Sequence, residues 1–125
     1  MEIMITVRAV SAEGKPCGRR RATRKALVFG PDSIYSSVST DASWSTLTAV
    51  KNGNYYEVPD SPYNWMGMPP SVNRYLGMQW FANLCYPETF DYDMYEVTKE
   101  YYKTFYNYDL TQDEYNELTA NAVRK

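Results

Sequence analysis

Pro59, Pro62, Pro69 and Pro70 fall within twelve residues, and no helix or sheet ladder runs through a stretch in which four residues lack a backbone N–H. The segment DSPYNWMGMPPS is therefore predicted to be a stiff loop, with strand-like sequence before it and helical sequence after it.

Ahead of the loop, MEIMITVRAV alternates Ile3, Ile5 and Val7 against Met4, Thr6 and Arg8, the period of a half-buried strand. ALVFG, residues 26–30, is a short apolar run closed by Gly30-Pro31 and reads as a buried strand. Pro31 and Asp32 then predict a helix start, with Ile34, Tyr35 and Val38 supplying one apolar face. Asn52-Gly53 is a turn signal, and Tyr55, Tyr56 and Val58 predict a strand over 55–58 that Pro59 closes.

Beyond the loop the period changes to that of helices. Pro69-Pro70 predicts the start of one that runs to about Cys85, with Val72, Leu76, Trp80 and Leu84 as its apolar ladder, widened by Tyr75 and Phe81. Asn73, Arg74, Gln79 and Asn83 fall on the opposite, polar side. Asp93 with Glu96 resembles a capping box for a helix over 93–106 that carries Val97, Tyr101, Tyr102 and Phe105. Leu110, Thr111, Glu114 and Tyr115 combine a capping box with a hydrophobic staple and predict a last helix over 112–122. Strand, loop, strand, helix, strand and three helices make an α/β layer with a helical C-terminus.

Charge is distributed unevenly. The first 25 residues hold seven basic side chains against two acidic ones, whereas the rest hold six against thirteen. The acidic body lacks the broad basic face of a nucleic-acid-binding domain. The run at 11–25, with two glycines, a proline and six basic residues, reads as loop or disorder, with a tight basic hairpin as the alternative. MEIMITVRAV precedes that run instead of following one, the reverse of a secretory signal, so none is expected in this chain.

Cys17 and Cys85 have no metal or redox spacing, and Cys85 reads as a small buried residue. The 125 residues include no histidine, which removes the commonest metal ligand and the usual general base. Asp91 and Asp93 are the one close carboxylate pair that invites an acid/base proposal, and they are better explained as the start of a helix. No nucleophile elbow, phosphate loop or zinc-protease motif is present, so the expectation is a protein that is not an enzyme and carries no resident cofactor or metal.

Four separated blocks now matter together: the apolar run 26–30 with the short helix after it, WSTLTAVKNG at 44–53, the strand from Tyr55 to Pro59, and Asn64-Trp65 ahead of Pro69-Pro70-Ser71. With the tail YEVTKEYYKTFYNYDLT, they resemble the C-terminal lobe of ABC-transporter substrate-binding proteins for iron complexes, over about residues 26–122. The resemblance implies an α/β fold, a single lobe of a two-lobed class III periplasmic binding protein whose lobes are joined by a rigid helix. It implies a small, mostly parallel sheet flanked by helices. It also implies capture of a siderophore, haem or corrinoid-type chelate, delivery to a membrane permease, and an extracytoplasmic setting. Residues 1–25 do not match and are set apart as an atypical basic segment, with 26–125 as the lobe. The N-terminal lobe is expected to be missing, leaving a fragment not competent alone and prone to associate with itself.

In an open α/β sheet, ligands sit beyond the carboxyl ends of strands, where loops lead into helix N-termini, and residues 59–71 have that address. The candidate ligand contacts are Tyr63, Asn64 and Trp65 on the stiff loop, Arg74 one turn into the next helix, and Tyr35 after the strand at 26–30. Against the aromatic residues stands the plain alternative that Trp65 caps the core. A different function, binding to nucleic acid or an anionic surface through residues 15–25, stands beside the chelate-binding one.

Overall fold

The computed structural model describes residues 4–6, 34–67 and 70–124. The chain forms two compact units, Met1–Val58 and Pro59–Lys125, so the division falls at the first proline of the loop, inside the span 26–125 that the sequence treats as one lobe. The expected strand over 26–30, the basic segment 15–25, the helix start at Pro31 and Asp32, and Pro69 lie outside the described residues.

In the first unit, strands β1 (Met4–Thr6) and β2 (Tyr55–Glu57) pair in parallel, with Met4 opposite Tyr55 and Thr6 opposite Glu57. The helix expected after Asp32 is one 3₁₀ turn, Ile34–Ser36. Asp41 organises the next turn, its carboxylate accepting from the N–H groups of Ser43 (2.8 Å) and Trp44 (3.1 Å). Helix α1 (Thr48–Lys51) follows, and its Ala49 and Val50 form a small core with Val38, against which Trp44, Leu47 and Tyr55 pack.

Asn52-Gly53 is the C-terminal stop of α1. Gly53 has φ +72°, its N–H bonds the Val50 carbonyl (3.0 Å), and the Asn54 N–H bonds the Ala49 carbonyl (2.8 Å). This is the Schellman arrangement, which satisfies carbonyls the helix leaves open and turns the chain into β2.

The second unit is built from α2 (Asn73–Cys85), α3 (Met94–Tyr106) and α4 (Gln112–Leu118). Helix α2 begins at Asn73, later than the double proline suggests, where Ser71 Oγ accepts from the Asn73 N–H at 3.3 Å. Leu76, Trp80 and Leu84 are buried as the ladder predicts. Three assignments are corrected: Val72 is 39% and Tyr75 63% exposed, and Asn73, placed on the polar side, is 0% exposed. The inward face is turned toward Asn73 because that amide finds partners inside, described below.

Helix α3 starts as expected, with Asp93 accepting from the N–H groups of Tyr95 (3.0 Å) and Glu96 (3.3 Å), and ends at Asn107, which has φ +50°. At α4 both halves of the capping box form: the Glu114 N–H donates to Thr111 Oγ1 (3.3 Å) and the Thr111 N–H donates to Glu114 Oε2 (2.8 Å). The helix stops at Leu118 instead of 122, where the Thr119 hydroxyl donates to the Tyr115 carbonyl at 2.8 Å.

The C-terminal tail is tied to α2. Trp80 Nε1 donates to the Ala122 carbonyl (2.8 Å), and Arg124 donates to the Leu84 carbonyl from Nε (3.0 Å) and Nη2 (2.7 Å). The guanidinium sits where the last carbonyls of α2 concentrate negative partial charge.

Candidate ligand-contact site

The loop between Val58 and α2 is held by Asn64. Its amide N–H₂ donates to the Pro59 carbonyl (3.4 Å), while its Oδ1 accepts from the N–H groups of Met66 (2.9 Å) and Gly67. Asp60 and Asn64 pair as an isolated antiparallel bridge, the Trp65 N–H bonds the Pro59 carbonyl (3.1 Å), and the Ser61–Pro62 peptide is cis. An Asn at the centre of a tight loop supplies both an acceptor and a donor to backbone groups that have no ladder to join.

Under this loop lies a polar network centred on Asn73. Its Nδ2 donates to the Tyr63 carbonyl (2.6 Å), and its Oδ1 accepts from the hydroxyls of Tyr101 (3.1 Å) and Tyr106 (2.5 Å). The Tyr102 hydroxyl and the Trp65 indole both donate to the Ser61 carbonyl. One loop is thus fixed to α2 and α3 through three tyrosines, an asparagine and a tryptophan.

Burial sets the ionisation of these phenols. It pushes Tyr102 up to about 12, outweighing the lowering effect of the nearby Trp65 and Ser61 side chains. Burial also raises Tyr101 well above the usual phenol range, helped by the neighbouring Tyr106, and raises Tyr106 as well. The network is therefore neutral at physiological pH and does no acid/base work there.

The candidates divide by exposure. Tyr63 is 51% exposed, its carbonyl anchored by Asn73 while the ring faces solvent. Arg74 is exposed, and its Nη2 donates to the Gly67 carbonyl at 3.1 Å, which keeps the guanidinium beside the loop. Asn64 and Trp65 are buried, Trp65 completely. The Trp65 indole stands edge-on to Trp80, with centroids 6.5 Å apart and planes at 83°. The expectation that Trp65 offers its ring to a ligand thus meets a side chain with no exposed surface, which takes the core position the plain alternative gave it. Tyr35 belongs to the first unit, where its ring packs on Tyr55 at 5.1 Å.

Sequence reasoning missed the part played by Asn73 and Tyr106. The available signal was an asparagine two residues after Ser71 at a helix start, with tyrosines at helical spacing on α3. Neither feature alone reports that the two faces meet.

No family model matches the chain, and no curated protein matches it. Two solved structures do. One is an ABC transporter solute binding protein from Sulfurospirillum deleyianum DSM 6946, at TM-score 0.66 and 33% identity over 76% of this chain and 29% of that one. Another is a periplasmic solute binding protein from Veillonella parvula DSM 2008, at TM-score 0.58 and 35% identity over 72% of this chain and 27% of that one. The chain is similar to these solute-binding proteins and spans under a third of either.

Proposed function

We propose that the chain is a ligand-binding lobe of an ABC-transporter solute-binding protein, that its ligand is an iron complex such as a siderophore or haem, and that a membrane permease receives the ligand outside the cytoplasm. The observation that carries the general reading is the similarity to two such proteins at 33% and 35% identity. The iron-complex reading rests on the sequence blocks from Trp44 to Ser71 and on the chemistry of the loop. Tyr63 supplies a half-exposed aromatic ring and Arg74 a cation held at Gly67 of the same loop, which together suit a flat or rigid chelate bearing negative charge. Asn64, Trp65 and Asn73 hold the loop in place, so little ordering entropy opposes binding. In a two-lobed protein the remaining contacts come from the other lobe, and the permease and that lobe are the partners of this reading.

Gallium-substituted siderophores and gallium protoporphyrin are diamagnetic stand-ins for the ferric complexes, and backbone and side-chain NMR of the chain reads their contacts. Shift changes are expected at Tyr63, Gly67 and Arg74, with Arg74→Ala weakening binding of anionic chelates by about tenfold. Saturating binding that leaves residues 61–74 unchanged would count against the reading.

A further inference from the structure

We propose that the cleft beside the Ser61–Pro62 turn, walled by α3 and α4, is a second binding site, for a small organic cation: a protonated amine or guanidinium carried on an apolar body. The cleft has a volume of about 510 Å³, within the size range of small-molecule sites. It lies wholly in the second unit.

Three tyrosines form its aromatic wall. Tyr102 stands edge-on to Tyr106 (5.8 Å between centroids, 67°) and to Tyr108 (6.4 Å, 60°), so the rings present differently oriented faces around one space. Such faces attract cations through the ring quadrupole and cover the apolar body that carries the charge. Leu118 extends the apolar lining.

Among the described residues, two carboxylates, Glu114 and Glu117, and no basic side chain line the same space. Lys103, on α3, is paired with Asp109 at 2.8 Å. Glu114 is held below the usual carboxylate range by the Tyr108 hydroxyl and by its bonds to Thr111, and it keeps its charge at neutral pH. Both its oxygens already accept hydrogen bonds: Oε1 from Tyr108, Oε2 from Thr111. It therefore acts on a ligand through its field. Glu117 lies three residues along α4 on the same side, is exposed, and has no side-chain partner among the described residues, which leaves it to meet the cation directly. The tyrosine hydroxyls stay protonated and do not offset this negative charge, and an anion is repelled.

The site is also fixed in shape before any ligand arrives. Tyr102 is tied to the Ser61 carbonyl, Tyr106 to Asn73, and Tyr108 to Glu114, which the capping box anchors.

The test uses the full chain and three probes of one shape: phenethylammonium, phenethyl alcohol and phenylacetate, titrated by NMR. Phenethylammonium is expected to shift Tyr102, Tyr108 and Glu117, with the alcohol and the carboxylate at least about tenfold weaker. Glu117→Gln, on an exposed position that leaves the fold unchanged, lowers the ammonium affinity about fivefold to tenfold, and Tyr108→Leu lowers it further. Equal binding of the three probes, or ammonium binding indifferent to Glu117→Gln, would overturn the proposal. So would a lysine-containing peptide that binds where the free amine does not, since the site would then serve a protein partner. These readouts fall on α3, α4 and the segment between them, whereas the chelate experiment reads Tyr63 and Arg74, so either reading can fail without the other.

Discussion

At Gly77 helix α2 passes directly against the backbone of the loop. A Cβ there would lie 2.1 Å from the Trp65 carbonyl oxygen and 2.8 Å from its carbonyl carbon. Alanine is the better helix former by about 1 kcal/mol, so helix propensity alone predicts that Gly77→Ala stabilises. The contact is with backbone, which cannot rotate away, and steric exclusion wins. Gly77→Ala is expected to destabilise the second unit by about 2–4 kcal/mol, read as a lower urea midpoint at an unchanged denaturant slope. A neutral or stabilising result would mean that the loop does not press on α2. The same contact explains why Trp65 is inaccessible: the loop backbone lies on the helix, and the indole fills the space toward Trp80.

At the scale of elements, the tyrosines of α3 link packing to titration. Tyr101 and Tyr102 are buried at 7% and 5% exposure, and burial raises both phenols, Tyr102 from its usual 10 to about 12. Between those two values the unfolded chain binds fewer protons than the folded one, so stability is full below pH 10 and falls as pH rises through the window. Ultraviolet titration should therefore show the Tyr101 and Tyr102 phenols of α3 ionising only with loss of structure. A single titration of all thirteen tyrosines near pH 10, with unchanged denaturant midpoints, would contradict this.

The sequence made some of this element order legible and concealed the rest, for definite reasons. Asp93 and Thr111 announce helix starts because capping is a local interaction, readable within four residues. Helix α1 spans only Thr48–Lys51, too short for any period, and Asn52-Gly53 looks the same whether it closes a helix or a hairpin. Val72 and Tyr75 continue the apolar ladder of α2 on paper, yet the inward face rotates toward Asn73 because Tyr101 and Tyr106 complete its hydrogen bonds from another helix. The aromatic loop was legible as a stiff segment but not in its division into inward Trp65 and outward Tyr63. That division depends on Trp80 and Gly77, which a reading of the loop alone does not contain.

For the whole molecule, the decisive quantity is how much of a related protein this chain represents: 29% and 27% of the two solved structures it resembles. Within it, α2 carries Tyr75 and Met78 three residues apart at 63% and 57% exposure, with Tyr86 at 65% just past the helix end. Large side chains at helical spacing on one outer face hold apolar area against water, and a second copy of the chain can cover that face symmetrically. The chain is therefore expected to self-associate, with its weight-average mass in sedimentation equilibrium rising above the monomer value as concentration increases. Tyr75→Lys combined with Met78→Glu should return it to monomer while leaving the helical circular dichroism and the Tyr63 and Glu117 resonances unchanged, since neither residue supports the loop or the cleft. A chain that stays monomeric at millimolar concentration would show that this face is tolerated in water. An association that persists in the double variant would move the interface elsewhere on the protein.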